Sequence, residues 1–297
     1  MEFVPFVFCD SVVAALGAPS LIEEPVSSRV WQKAFTQHKQ NRISATIVIA
    51  YGDGIWSYGI NYFKHETYHS LTFEDLQKMN GKYFRTEHIY ICSQSPPPNQ
   101  SSFEGILKLA KFTVPFVSMC ALEIEDVGYF KEDELCQLLS FYRNSSISIL
   151  DTTGNLDPVC AFVTEILKLD MLKDLRFLLT DFSSAVIEEI ALTKSLKGLF
   201  FIGQNSFKPQ NFKFPRTFFE KLFARPFDGS FTTCSFEFFF DFKVGDLKNF
   251  REDLQISASD SSIEWRRVDG VVVAIKNDIS DKILHVEFAS ARTEIVE

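Results

Sequence analysis

Hydrophobic and polar positions alternate with two different periods along this chain. Residues 4–40 read as short helices: Pro5 permits a helix start, and Phe8, Val12, Val13 and Leu16 recur at helical spacing before Gly17 stops the run. Pro19 and Pro25 break the next stretch. Val30, Trp31, Ala34 and Phe35 then form a second stripe, with Gln32 and Lys33 on its wet side. Helices this short need tertiary packing to persist. From Ile43 the period changes to two. Ile43–Tyr51 is β-branched and aromatic, Gly52-Asp53-Gly54 supplies a turn, and Trp56, Tyr58, Ile60 and Tyr62 share one face of a returning strand. The pattern predicts a β-hairpin over 43–63.

From about residue 85 short extended segments recur at Ile89, Leu122, Ile147, Leu175 and Leu199, with starts 33, 25, 28 and 24 residues apart. Amphipathic helices fall between most of them. Leu135, Leu138, Leu139 and Tyr142 mark one such helix, Phe162, Val163, Ile166 and Leu169 a second, and Ile187, Ile190 and Ala191 a third. Leu172-x-x-Leu175-x-Phe177 and Leu196-x-x-Leu199-x-Phe201 fit the L-x-x-L-x-L core of a leucine-rich repeat, and Met119-x-x-Leu122-x-Ile124 fits with Met in the first slot. One βα unit cannot bury both its faces, so stacked units complete one another. An ordinary sheet with right-handed crossovers has the same rhythm, and the repeat matches favour a degenerate solenoid over it.

After Asn205 the rhythm loosens. Arg216–Ala224 can form a helix carrying Phe218, and Phe236, Phe238, Phe240 and Phe242 then alternate in one extended run. Segments 263–268, 271–275 and 283–288 predict a three-stranded antiparallel meander with a D-G turn at 269–270. The fold class is therefore α/β, with N-terminal helices, a βα repeat body and a C-terminal meander.

Composition narrows the function. Of 297 residues, 39 are acidic and 30 basic, a net charge of −9, which argues against a general nucleic-acid binder. Phenylalanine occurs 32 times, far above common usage, and an aromatic-filled core is the expected use of so many rings. The six cysteines form no C-x-x-C pair and most sit beside apolar residues, so buried free thiols are expected. The apolar start of the chain lacks the basic residues of a secretory signal, Glu2 and Asp10 stand within it, and no apolar run reaches membrane-spanning length. An intracellular, cytoplasmic protein without membrane contact is expected.

His65-Glu66-Thr67-Tyr68-His69 matches H-E-x-x-H. On a helix the two imidazoles would converge on one zinc, with the glutamate as general base. Here the motif follows a predicted strand, and the next helix begins with Thr72 as its N-cap, so the required backbone is not expected; Glu87 and His88 are the nearest third ligands. A zinc metallopeptidase is the alternative reading. No P-loop, nucleophile elbow or dinucleotide fingerprint occurs, and neither a cofactor nor a catalytic residue is assigned.

Val4-Pro5-Phe6, leading into Phe8, Val12, Val13 and Leu16 with Trp31 downstream, resembles an F-box. Joined to leucine-rich-repeat-like units, the layout is similar to that of nematode F-box-like proteins of the PALS type. The resemblance implies an F-box-like segment at 1–40 and a repeat body at 41–297. It further implies a non-enzymatic adaptor that docks a Skp1-like subunit of a cullin ubiquitin ligase, holds a protein target or paralogous chain, and acts in a pathogen or stress response. Pro5, Phe6, Phe8, Val12 and Val13 are the adaptor contacts it implies. Phe236, Phe238 and Phe240 are a second candidate partner surface, since an aromatic strand that a repeat core leaves uncovered would seek a partner.

Overall fold

A computed structural model describes residues 4–15, 28–64, 67–93, 97–125, 127–153, 157–169, 171–178, 186, 189–190, 193, 196, 198–202, 217–218, 221, 233–236, 255–258, 262–266, 272–277 and 284–289. The fold is mixed α/β. The chain forms two compact units, Met1–Glu123 with Tyr129–Ile147, and Ile124–Gly128 with Ser148–Glu297.

The first unit opens with α1 (Phe6–Ala15) and α2 (Arg29–Asn41). Its strands are β1 (Ile43–Gly52), β2 (Ile55–Lys64), β3 (Thr67–Leu71), β4 (Phe84–Cys92), β5 (Asn99–Ser101) and all but the last two residues of β6 (Val117–Glu125). The sheet order runs β6-β4-β1-β2-β3, and β5 also pairs with β2. β1 and β4 are parallel, whereas β1, β2 and β3 are successive antiparallel neighbours. The predicted hairpin is present, and its two-residue turn places Asp53 at φ 52° and Gly54 at φ 79°. Positive φ at both central positions is the backbone whose twist matches a two-residue hairpin, and Asp-Gly is suited to it.

Three helices accompany these strands: α3 (Phe73–Lys78), α4 (Phe103–Thr113) and α5 (Glu132–Ser140). Thr72 caps α3 as its sequence predicts, accepting from Asp75 N while Asp75 receives the Thr72 backbone N–H. This capping box satisfies two otherwise orphaned donors. α4 was not singled out by the sequence pattern, yet Ile106, Leu109, Ala110 and Thr113 are buried at helical spacing. α5 buries the predicted Leu135, Leu138 and Leu139, and Tyr142 just beyond it is fully enclosed. Each such leucine contributes about 1.5–3 kcal/mol by leaving water.

Rings fill the spaces between these elements. Trp56 lies 5.0 Å from Phe103 and 5.3 Å from Phe130, and its indole N–H donates to Glu134. Phe116 joins Phe84 edge-on at 5.5 Å and Phe112 at 5.7 Å. Against that same Phe116 ring the backbone of Gly81 approaches so closely that an added Cβ would sit 2.7 Å from Cε1.

The second unit contains β7 (Ile147–Thr153), α6 (Asp157–Lys168), β8 (Asp174–Leu178), β9 (Gly198–Ile202) and β10 (Thr233–Phe236). β7, β8, β9 and β10 are parallel neighbours in chain order. In the β8–β9 register Leu175 pairs with Leu199, and Phe177 with Phe201. Leu172, Leu175 and Leu196 are fully buried. β11 (Gln255–Ala258), β12 (Ser262–Arg266), β13 (Val272–Asn277) and β14 (Leu284–Ala289) form an antiparallel meander, which joins β10 through β14. The third predicted repeat helix lies mostly outside the described residues.

Gly81→Ala is expected to destabilise the protein by about 1–3 kcal/mol, the usual range for overpacking. Phe116→Leu in the same chain should recover part of that loss in urea unfolding. Equal stability of Gly81→Ala and the parent would show that Phe116 yields without cost.

Candidate functional site

The N-terminal helices hold the adaptor-contact residues. α1 reads FVFCDSVVAA, apolar nearly all round, and a helix of that kind is normally buried on every side. Here it is buried on one side only. Cys9 and Val13, one turn apart, pack against Ala34 of α2, with Val4, Phe6, Val30, Trp31 and Phe35 partly buried around them. Val7 is 73% exposed and Phe8 is 56% exposed. The apolar stripe expected through Phe8 and Val13 is thus rotated: Cys9 and Val13 make the core contact, and Phe8 turns outward to meet the Trp31 ring edge-on at 6.3 Å.

The cause is Asp10, the one charged side chain of α1. It is buried, and its carboxylate receives His38 Nε2 at 3.0 Å and the Lys82 ammonium. Desolvation would raise its pKa, but the hydrogen bonds from Lys82 and His38 outweigh that and hold the group below the usual aspartate range. His38 is also buried, and its Nδ1 has no hydrogen-bond partner, so the bond to Asp10 assigns the neutral Nε2–H tautomer. Burial pushes His38 below its ordinary pKa, and the Asp10 hydrogen bond offsets only part of this. The Asp10 bond to Lys82 pushes the lysine upward.

Two guanidinium groups complete the anchoring. α1 has no basic residue in its last turn, so its final carbonyls lack a cation of their own. Arg42 Nη2 donates to Val13 O at 2.7 Å, and Arg85 Nε donates to Ala14 O at 3.1 Å. Arg85 also reaches Gly81 O at 3.3 Å. Burial lowers both arginines' pKa; nearby Glu87 opposes this at Arg42, and Arg42 adds to it at Arg85. Arginine nonetheless remains charged at any ordinary pH.

These contacts sort the sequence candidates. Pro5 and Phe8 are exposed, Phe6 and Val12 are half-buried, and Val13 is enclosed at 2% exposure, where it packs inside rather than facing a partner. Lys33 lies 5.3 Å over the Phe6 ring. Val7, which sequence periodicity did not select, is the most exposed large apolar residue of the helix among the described side chains. Phe236 lies on β10, with its backbone opposite Leu284 and Phe201, and Phe238 and Phe240 lie outside the described residues.

The zinc motif divides differently. His65 and Glu66 lie outside the described residues, whereas Thr67–Leu71 is strand β3. His69 stacks on Tyr62 at 4.9 Å and lies 3.0 Å from Thr67 Oγ1. The zinc mechanism needs helical backbone there, whereas extended backbone spaces positions four apart by about 13 Å, too far for two imidazoles to share one ion. Among the described residues no group of three His, Cys, Asp or Glu side chains is placed to hold a metal, and no helix is long and apolar enough to cross a membrane. Cys9, Cys92 and Cys120 are buried, burial raising Cys120 to about 12, while Cys136 is exposed on α5, against expectation.

Asp10→Asn is expected to lower stability by about 2 kcal/mol, the scale of hydrogen bonds to charged groups. Acid should act in the same direction. Both Asp10 and His38 have folded pKa values below their unfolded ones, so each contributes stability above the unfolded value and loses it as pH falls toward the folded value. Loss should therefore begin below about pH 6.5 through His38 and deepen below about pH 4 through Asp10. Urea unfolding of parent and Asp10→Asn across pH 3.5–8 checks this; a parent curve flat from pH 7.5 to 5 would contradict the His38 contribution.

No protein-family model, no curated protein and no solved structure matches this chain.

Proposed function

We propose that the chain is a non-enzymatic protein-interaction module whose N-terminal helices dock an adaptor through the outward face of α1. The observation that carries this reading is the inverted helix: α1 turns its only charge inward and leaves Val7 and Phe8 in water. Apolar side chains held out by buried ion pairs gain free energy only when something covers them. The charge of the neighbouring α2 segment favours a particular partner. Residues 28–42 contain Arg29, Lys33, Lys39 and Arg42 and no acid, on a chain whose net charge is −9. A partner with an apolar groove and acidic edges complements that face.

The F-box resemblance supplies the identity of such a partner, a Skp1-like subunit of a cullin ubiquitin ligase. On this reading the body is a degenerate leucine-rich-repeat solenoid that holds a protein target or a paralogous chain. The alignment of Leu175 with Leu199 and of Phe177 with Phe201 supports the repeat reading. The setting is cytoplasmic, and the role in a pathogen or stress response comes from the resemblance.

Phe8→Asp combined with Val7→Asp is expected to weaken binding to a purified Skp1-like protein at least tenfold, with little change in unfolding midpoint because both side chains are exposed. Polar substitution of Pro5 with Phe8 should act likewise. Undiminished binding by either double variant in a co-purification or titration would refute the docking face.

A further inference from the structure

The first unit ends on an open sheet edge. β3 is the last strand beyond β2, and no described strand pairs with its outer side. Protein edges of this kind are ordinarily blunted by charge, proline or a bulge, since their free N–H and C=O groups accept another strand. Thr67-Tyr68-His69-Ser70-Leu71 contains no charged residue and no proline, and its pairing with β2 runs without a shift. Both its faces are open as well. Tyr68 is 83% exposed and lies 5.0 Å from Phe63, itself 56% exposed, while His69 stacks on Tyr62 on the other side.

We infer that β3 is a self-association edge, at which two copies of this chain pair antiparallel about a two-fold axis through His69. The strand's own chemistry selects a second copy as its occupant. An antiparallel register centred on His69 sets Tyr68 opposite Ser70, Thr67 opposite Leu71, and His69 opposite its own equivalent. Large side chains then face small ones on one face. On the other, the Tyr62–His69 stack, with planes 18° apart, continues into a row of four rings across the axis. An uncharged strand meets itself without the like-charge repulsion that would oppose such pairing, and it offers no countercharge to an acidic or basic foreign segment. A two-fold contact requires this self-complementarity. The strand is five residues long, so the contact buries less than the ~1,200 Å² of a standard stable interface, and the dimer is weak and concentration-dependent. The surface is separate from the α1 face, and neither reading depends on the other.

Sedimentation of the full chain from about 1 μM to about 300 μM reads the association directly. A monomer–dimer equilibrium is expected. His69→Lys sets two ammonium groups opposite each other and should weaken it at least tenfold, as should Tyr68→Lys by guarding the edge. The side chains of both residues are solvent-exposed, so each variant should keep the parent's circular dichroism. Mixing His69→Lys with His69→Glu should restore association, because only the mixed pair brings opposite charges across the axis. A chain that stays monomeric throughout the range overturns the inference. So does a dimer indifferent to both lysine substitutions, or a mixture that fails to associate.

Discussion

The arrangement of the N-terminal region rests on the carboxylate of Asp10. A charge on an otherwise apolar helix must either face water or find partners in the interior, and here it has His38 and Lys82. That choice sets the rotation of α1. With Asp10 inward, Cys9 and Val13 follow it into the contact with Ala34, and Val7 and Phe8 are turned to solvent. Arg42, capping the end of α2, and Arg85, within β4, then hold the last carbonyls of the helix. The exposed apolar face is therefore held by polar bonds on the helix's other side. Hydrophobic packing alone would set no rotation for a helix that is apolar nearly all round.

Charge pairs of this kind contribute little net stability, because desolvation offsets much of their attraction. Their effect is on geometry. Lys82 and Arg85 belong to the segment around β4, and His38 and Arg42 to the end of α2, so the clasp ties α1 to elements distant in sequence. A helix with no strong preference between its own faces thus acquires one orientation.

Much of the fold was legible because its signals are local. The Asp53-Gly54 turn, the Thr72 cap, the leucine stripe of α5 and the strands around Leu175 and Leu199 each follow from a few neighbouring residues. The phenylalanine excess is partly accounted for: Phe84, Phe162 and Phe218 are buried, and Phe112 and Phe116 interlock with their neighbours. What periodicity missed depends on distant partners. Asp10 counted as an interruption of an apolar run, since nothing local pairs it with Lys82. Nor does local spacing pick out Val7 as the exposed neighbour of Phe8. α4 went unread beside the Pro-rich stretch at 96–98, and β3 was obscured by a motif whose chemistry presupposes a helix.

The rotational setting of α1 is the claim on which the docking face depends, and thiol labelling measures it directly. With a small maleimide at neutral pH, Cys136 is expected to react at once and Cys9 only as fast as the first unit opens, as resolved by peptide mass spectrometry. A Val7→Cys variant should label at that position as fast as Cys136. Substituting Asp10 with Asn should raise the rate at Cys9 while leaving Cys92 protected. If Cys9 in the parent instead labels as readily as Cys136, or a cysteine at position 7 is protected, α1 does not sit as Asp10 dictates and the account fails.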